Sequence, residues 1–157
     1  MARTLYAPSQ PVMIHDRTIL VAEGDRTLRE LLCRRLLTLD VVVEEAEDGR
    51  EAIQILEERH PAIVVVDLAL PLMDGYAVID RVRGLPRSER PMVLVTAERG
   101  VVHTLDVDLV QVVLRKPFDV RQVADVIASC VTALRSRRKP AVSASDQKEG
   151  RDPALLR

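Results

Sequence analysis

The sequence predicts an α/β domain built on a doubly wound, five-stranded parallel sheet. From Thr18 onward, short β-branched runs alternate with amphipathic segments, an alternation typical of a parallel sheet covered by helices. Runs such as Ala62–Val66 are continuously apolar, as expected of strands that are buried on both faces. Polar side chains directly follow several of these runs, which places them at the sheet edge where domains of this class bind ligands.

Five strands are predicted from the β-branched runs: Thr18–Ala22, Val41–Glu45, Ala62–Val66, Pro91–Val95 and Val112–Arg115. The first helix is predicted from apolar residues at helical spacing: Leu28, Leu31, Leu32, Leu36 and Leu39. Asp25 or Thr27 is available to cap the start of this helix. The second helix follows Asp48-Gly49 and ends at His60-Pro61, because proline disfavours a helical conformation in the residue before it.

Two further helices follow the third and fifth strands. The third helix turns Val78, Ile79 and Val82 inward and stops at Gly84, and the last helix extends from Asp119 to about Arg135. The inward residues of the last helix are Val123, Ile127, Val131 and Leu134. Residues 98–111 do not sustain a helical stripe of apolar residues, so the fourth helix of the sheet is expected to be reduced to a short one.

The ends of the chain differ in composition from its middle. Residues 1–17 are expected to form a loosely held extension, residues 18–135 one domain, and residues 136–157 a disordered polar tail. The tail is too short to fold independently, so we expect a stand-alone domain. The basic cluster Arg135–Lys139 is interpreted as a solvated helix end that complements the helix dipole, not as a nucleic-acid site.

Composition limits the classes of partner. The chain has 157 residues and a net charge of −1, so no strong field attracts nucleic acid or a membrane surface. Its apolar runs are too short to cross a membrane, and Met1–Gln10 lacks the apolar core of a secretory signal. Two cysteines, Cys33 and Cys130, are not paired closely in sequence, and they are interpreted as buried thiols in helices. The three histidines show no ligand spacing. We therefore expect a cytoplasmic location, without nucleic-acid or membrane partners.

Three motifs place an acid, a hydroxyl and a lysine at three successive strand ends. They are Asp67–Gly75 (DLALPLMDG), Val95-Thr96-Ala97 and Leu114–Phe118 (LRKPF). In this order and spacing the chain resembles the receiver domain of bacterial response regulators over about residues 18–134. The resemblance implies a flavodoxin-like (βα)5 fold and a signalling domain of two-component systems that is not an enzyme.

The resemblance also implies a role for each strand-end side chain. Asp67 would accept a phosphoryl group from a histidine kinase or phosphotransfer protein, Lys116 would neutralise the added charge, and Thr96 would bind a phosphoryl oxygen. Output would pass to a downstream protein partner by direct contact. The Lys116-Pro117 bond is frequently cis in this family, and the sequence leaves its isomer open.

The first departure from the family pattern concerns the metal. Receivers usually end the first strand with two adjacent acids, but this chain has Glu23 followed by Gly24. By resemblance, Mg²⁺ would be held by Glu23 through water, by Asp67 and by the backbone carbonyl of Ala69, and binding is expected to be weak or absent because one carboxylate is missing. Asp25 lies one position further along and is expected to cap the first helix.

The second departure is Val113, which stands where the family commonly has an aromatic side chain that turns inward on activation. Valine is too small and too stiff for this motion. Gly24, Val113 and the reduced fourth helix favour an alternative, a pseudo-receiver that binds its partner constitutively, with impaired Mg²⁺-dependent phosphorylation; the retention of Asp67, Thr96 and Lys116 opposes it. A flavin-binding protein is disfavoured, because no phosphate-binding hydroxyl loop follows the first strand.

Overall fold

The sheet has five parallel strands in the order β2-β1-β3-β4-β5, which confirms the predicted fold class. The structure, a computed structural model, describes residues 17–100 and 105–137. The strands are β1 (Thr18–Ala22), β2 (Val42–Ala46), β3 (Ile63–Asp67), β4 (Met92–Ala97) and β5 (Val110–Arg115). The predictions for most of the N-terminal extension and for residues 138–157 lie outside the described residues.

The strand positions agree with the sequence prediction to within two residues at either end. β1 has the predicted bounds, and β3 extends through Asp67 because this residue pairs with Thr96 of β4. β5 begins two residues earlier than predicted. Val93 pairs with Val110 and Leu94 with Val112, so Gln111 between them forms a bulge. The bulge frees the amide of Val93, which donates to Gln111 Oε1 at 2.6 Å.

Four helices cover the two faces of the sheet: α1 (Arg26–Leu36), α2 (Gly49–Arg59), α3 (Gly75–Arg83) and α4 (Val120–Arg137). Aspartate caps the first three of them. Asp25 Oδ1 accepts from Leu28 N at 2.9 Å, which confirms Asp25 rather than Thr27 as the cap of α1. Asp48 and Asp74 accept from the first-turn amides of α2 and α3 in the same way. α4 follows β5 and continues to Arg137, two residues past the predicted end.

Apolar residues from alternate positions of the strands pack into two cores. Leu20 and Val64 face α2 and α3, whereas Ile19 and Val65 face α1 and α4. The inward positions predicted for α3 and α4 are confirmed, with Val78, Ile79, Val82, Val123, Ile127 and Val131 buried and Leu134 partly buried. Helices on both faces hold the strand ends rigidly, so side chains at those ends are fixed in relation to one another.

The apolar stripe predicted for α1 is wrong at one position. Leu31 is 48% exposed, whereas Arg29 is buried. Arg29 lies three and seven residues before Leu32 and Leu36, which are also buried, so it shares their face of the helix. The predicted stripe also ended in Leu39, which lies in a 3-10 turn after α1 and is partly buried.

The connection between β4 and β5 contains no helix in its described residues, 98–100 and 105–109, which form turns. The short helix that the sequence predicted is therefore absent from those positions, and residues 101–104 lie outside the described part of the chain. Leu109 and Val110 are buried, but Val113 is 37% exposed. The side chains of Val112 and Leu114 pack against the α1 and α4 face, so Val113 points to the opposite face.

The two cysteines lie in different environments, as α1 buries Cys33 and α4 leaves Cys130 partly exposed. Burial raises the pKa of the Cys33 thiol to about 12. Burial also raises the pKa of Cys130. The prediction of a buried thiol is confirmed for Cys33 and is only partly correct for Cys130.

We expect Gly75→Ala to lower the free energy of unfolding by about 2 kcal/mol, because a Cβ at position 75 overlaps backbone atoms. It would lie 2.3 Å from the carbonyl oxygen of Asp67. Gly84→Ala is the matched control, since its nearest neighbour, the Arg81 carbonyl oxygen, is 3.4 Å away. Urea denaturation of both variants measures the difference, and equal stabilities would contradict the close approach of α3 to β3.

Candidate functional site

The site lies at the carboxyl ends of four adjacent strands, β1, β3, β4 and β5. The chain passes from β1 to β2 on one side and later to β3 on the other, so the strand order reverses between β1 and β3. Glu23 follows β1, Asp67 ends β3, and Thr96 faces Asp67 in register on β4. Such a reversal opens a crevice at the strand ends, which is where α/β domains bind ligands.

Lys116 joins the two acids of the site. Its Nζ lies 2.8 Å from Asp67 Oδ2 and 3.0 Å from Glu23 Oε2. Its backbone amide donates to Ala97 O at 2.9 Å, so the ladder between β4 and β5 fixes the position from which the side chain extends. The Lys116-Pro117 peptide bond is cis.

The second oxygen of each acid accepts a hydrogen bond from the backbone. Asp67 Oδ1 accepts from Ala69 N at 3.1 Å, and Glu23 Oε1 accepts from Asp25 N at 3.0 Å. Glu23 and Asp67 are both buried. Three of the four carboxylate oxygens accept a hydrogen bond, and the fourth, Glu23 Oε2, has an ion pair with Lys116 instead. The cation thus offsets part of the cost of burying the two acids.

Thr96 carries an unsatisfied hydroxyl in the site. Its Oγ1 is buried and has no hydrogen-bond partner within residues 17–100 and 105–137. Glu23 Oε2 shares this property, but it has the ion pair with Lys116. A buried hydroxyl normally finds a hydrogen-bond partner, so the Thr96 hydroxyl is able to donate to a further acceptor at this strand end. Thr96 pairs with Asp67 across β4 and β3. The free hydroxyl is thus available to a group attached to Asp67.

Two groups of the site, Glu23 and Lys116, have raised pKa values. Burial raises the pKa of Glu23 above its usual 4.5, although the hydrogen bond from Asp25 and the contact with Lys116 oppose this shift. Burial alone would lower the pKa of Lys116, but the hydrogen bonds to Asp67 and Glu23 outweigh it and raise the pKa. Lys116 therefore stays charged at neutral pH, and its charge balances one of the two carboxylates.

The donor set is a partial fit for Mg²⁺. Within the described residues, no three His, Cys, Asp or Glu side chains form a metal-ligand group. Two carboxylates, Glu23 and Asp67, face one another at the strand ends. Mg²⁺ accepts one or two carboxylates when water completes its shell, and Glu23 and Asp67 match that number of acidic ligands. Gly24 contributes no side chain, and a Cβ placed there would lie 3.1 Å from Pro71 Cδ.

The structure brings together the residues that the sequence singled out. Asp67, Lys116 and Glu23 are in direct contact, Thr96 is the register partner of Asp67, and Ala69 donates its amide to Asp67.

Sequence reasoning missed Arg29, whose Nη1 donates to the carbonyl oxygen of Glu23 at 2.7 Å. A charged residue on the apolar stripe of α1 was the signal that could have identified it.

The fold is a doubly wound α/β domain with a polar site at its strand ends, and comparison with known proteins gives its family. The family model described as "Response regulator receiver domain" matches residues 19–128, and the chain belongs to this family. Receiver domains of response regulators are signalling modules that interact with histidine kinases and downstream effectors, and they generally bind Mg²⁺ at the phosphorylation site.

Two curated relatives and one solved structure illustrate the similarity. "Probable transcriptional regulator ycf27" of Cyanophora paradoxa is 36% identical over 84 residues, which are 54% of this chain and 34% of the relative. "Response regulator MprA" of Mycolicibacterium vanbaalenii is 37% identical over 83 residues, 53% of this chain and 36% of the relative. The REC domain of AraT, a response regulator from Geobacillus stearothermophilus, aligns with a TM-score of 0.67 at 25% identity and covers 81% of this chain and 100% of that domain.

The match to the curated relatives spans about a third of the length of those two proteins. In the part of the chain that the structure describes, no helix is both long enough and apolar enough to cross a membrane.

Proposed function

We propose that this receiver domain accepts a phosphoryl group on Asp67 from a histidine kinase or phosphotransfer protein and signals by contact with a downstream protein. The observation that carries the proposal is the arrangement at Asp67, a buried acid with a lysine at 2.8 Å and with Thr96, whose buried hydroxyl has no partner within the described residues, as its register neighbour. These are the groups that an aspartyl phosphate requires, since the modification adds negative charge and acceptor oxygens.

Each residue has a defined part in the transfer. An oxygen of Asp67 attacks phosphorus, the phosphorus–nitrogen bond of the phosphohistidine breaks, and the imidazole leaves. Lys116 moves with its charge from a carboxylate oxygen to a phosphoryl oxygen without leaving the site, because Glu23 also holds it at 3.0 Å. Thr96 Oγ1 donates to another phosphoryl oxygen. Transfer of this kind depends on positioning and charge neutralisation, and these residues supply both.

Mg²⁺ would be held by Asp67, by the carbonyl of Ala69 and, through water, by Glu23. When bound, the cation neutralises charge on the phosphoryl oxygens. With one carboxylate fewer than the family pattern, we propose weak binding, in the range where the site fills only at high Mg²⁺ concentration. Asp25 does not replace the missing acid, because it is the N-cap of α1.

The test is incubation of the purified chain with phosphoramidate, a small donor that contains a phosphorus–nitrogen bond. Intact-mass measurement with and without Mg²⁺ is expected to show one added phosphoryl group that forms faster with the cation. Absence of any adduct at saturating Mg²⁺ would contradict phosphoacceptor function.

Gly24→Asp is expected to raise Mg²⁺ affinity about tenfold, equivalent to about 1.4 kcal/mol, because it restores a hard oxygen ligand. The new Cβ meets Pro71 Cδ at 3.1 Å, so the loop after β3 must shift by a few tenths of an ångström. Gly24→Asn adds similar bulk without the charge and is the control. Calorimetric titration decides the matter, and equal affinities for wild type and Gly24→Asp would show that the missing carboxylate does not limit binding.

An alternative function is that of a pseudo-receiver, which binds its partner whether or not Asp67 is modified. Three observations favour it. Gly24 removes a metal ligand, both oxygens of Asp67 already accept hydrogen bonds, and the 98–100 and 105–109 segments have no helix to transmit a change. The phosphoramidate experiment separates the two functions, since a pseudo-receiver gives little or no adduct.

A further inference from the structure

Arg29 is a buried arginine beside the site and lies outside the three strand-end motifs. Arg29 is 8% exposed, and burial of a guanidinium is unfavourable unless its charge and its donors are satisfied. Its Nη1 donates to the backbone carbonyl of Glu23 at 2.7 Å, the short length of a charge-assisted hydrogen bond. The two nearby acids lie further away: Glu45 Oε2 is 3.5 Å from Nε, and Glu47 Oε2 is 3.9 Å from Nη2.

The carbonyl that Arg29 holds lies where the sheet ends. The pairing of β1 with β2 stops at Ala22 and Ala46, and the Glu23 amide makes one further bond to Ala46 O at 3.1 Å. The next residue is Gly24, which is exposed and has the greatest backbone freedom of any residue. The Glu23–Gly24 peptide is therefore the point at which the backbone of the site is least constrained by the sheet.

The orientation of this peptide controls both contacts of the Glu23 carboxylate. One oxygen accepts from Asp25 N, which lies just beyond Gly24, and the other faces Lys116. Rotation of the peptide would displace the Asp25 amide and release the carboxylate from its place beside Lys116. Arg29 lies in α1, the helix that Asp25 caps. Its side chain extends back to the carbonyl of Glu23, so the turn is tied to the helix at two points.

We propose that Arg29 is a positioning residue, which fixes the Glu23–Gly24 peptide so that the Glu23 carboxylate is held at Lys116 and is available to a cation. The glycine at position 24 makes this role necessary, since no side chain there anchors the turn. Any effect of Arg29 on phosphoryl transfer rests on the proposed function, whereas its effect on the orientation of the Glu23–Gly24 peptide does not.

The experiment compares wild type with Arg29→Met, which keeps the length of the side chain and removes its donors. Amide hydrogen exchange of Asp25, measured by NMR, is expected to rise about tenfold, because the segment opens locally without global unfolding. Mg²⁺ affinity, measured by titration with the metal alone, is expected to fall about tenfold, the scale seen when a partner of a metal ligand is removed. Val131→Ala, a cavity variant in α4 remote from the site, is the control for lost stability.

The proposal is overturned if the Asp25 amide of Arg29→Met exchanges at the wild-type rate. It is also overturned if wild type binds Mg²⁺ and Arg29→Met binds it with the same affinity, or if Asp25 exchange rises equally in Val131→Ala. Arg29→Lys is the second variant if Arg29→Met fails to fold. It retains the buried charge but loses the planar fork, and it is expected to raise Asp25 exchange by a smaller factor; an unchanged rate in this variant also counts against the proposal. Failure of wild type to react with phosphoramidate contradicts the proposed function and leaves the Asp25 result to decide the role of Arg29.

Discussion

Lys116→Met is expected to lower the free energy of unfolding by about 3 kcal/mol at pH 7, because it leaves buried carboxylates without their cation. The side chains of Glu23 and Asp67 are 3% and 6% exposed, and Lys116 Nζ lies within 3.0 Å of an oxygen of each. Methionine has a similar length and fills similar space. The loss therefore measures charge compensation and not packing.

The pH dependence of this loss has a definite sign. In wild type the raised pKa of Lys116 means that its stabilisation is present below its unfolded value and is lost as pH rises through the folded pKa. In the variant the burial that raises the pKa of Glu23 is no longer opposed by Lys116. Protonation of Glu23 then relieves the repulsion, so the difference between variant and wild type is largest above pH 7 and shrinks as pH falls toward 4.5, the usual value for a glutamate.

Urea denaturation between pH 4.5 and pH 9 measures this dependence. The Glu23→Gln/Lys116→Met double variant completes the cycle, and it is expected to recover a large part of the lost stability, since only one buried acid then remains. A difference from wild type that does not change with pH would contradict charge compensation by Lys116 as the source of the lost stability.

Asp67→Asn is expected to abolish phosphoryl labelling by phosphoramidate completely, because the amide oxygen is a poor nucleophile and cannot form an acyl phosphate. The free energy of unfolding should not fall in this variant, although the labelling is lost. Removal of one of two buried acids leaves Glu23 and Lys116 as a neutral pair at 3.0 Å, so the variant is expected to unfold at the same or a higher urea concentration than wild type.

Asp74→Asn is the matched control for Asp67→Asn. Asp74 is exposed and caps α3 through Ala77 N, and asparagine caps a helix equally well. This variant is expected to label at the wild-type rate. Borohydride trapping followed by peptide mapping of wild type locates the label, and recovery of the label on Asp25 or Asp74 would refute Asp67 as the acceptor.

Local patterns determined the architecture and the main chemistry of this chain. Alternating β-branched runs and helical stripes predicted five parallel strands in nearly their observed positions, because a strand buried on both faces must be apolar throughout. The same patterns predicted which polar residues follow the strands. In a parallel sheet, residues at the carboxyl ends of adjacent strands converge, so Asp67, Thr96 and Lys116 were found to lie together.

Tertiary structure decided what depends on contacts between segments distant in sequence. Lys116 bridges Glu23 as well as Asp67, a contact that spacing cannot reveal because it depends on the path of a flexible side chain in a buried site. Arg29 faces inward and Leu31 outward. Arg29 donates to the carbonyl of Glu23 in the turn before α1, and the fold also brings Glu45, from the neighbouring strand β2, to 3.5 Å from its guanidinium. The periodic pattern of α1 allowed either residue on the buried face, and a hydrogen bond to the turn just before the helix accompanies the burial of the charged one.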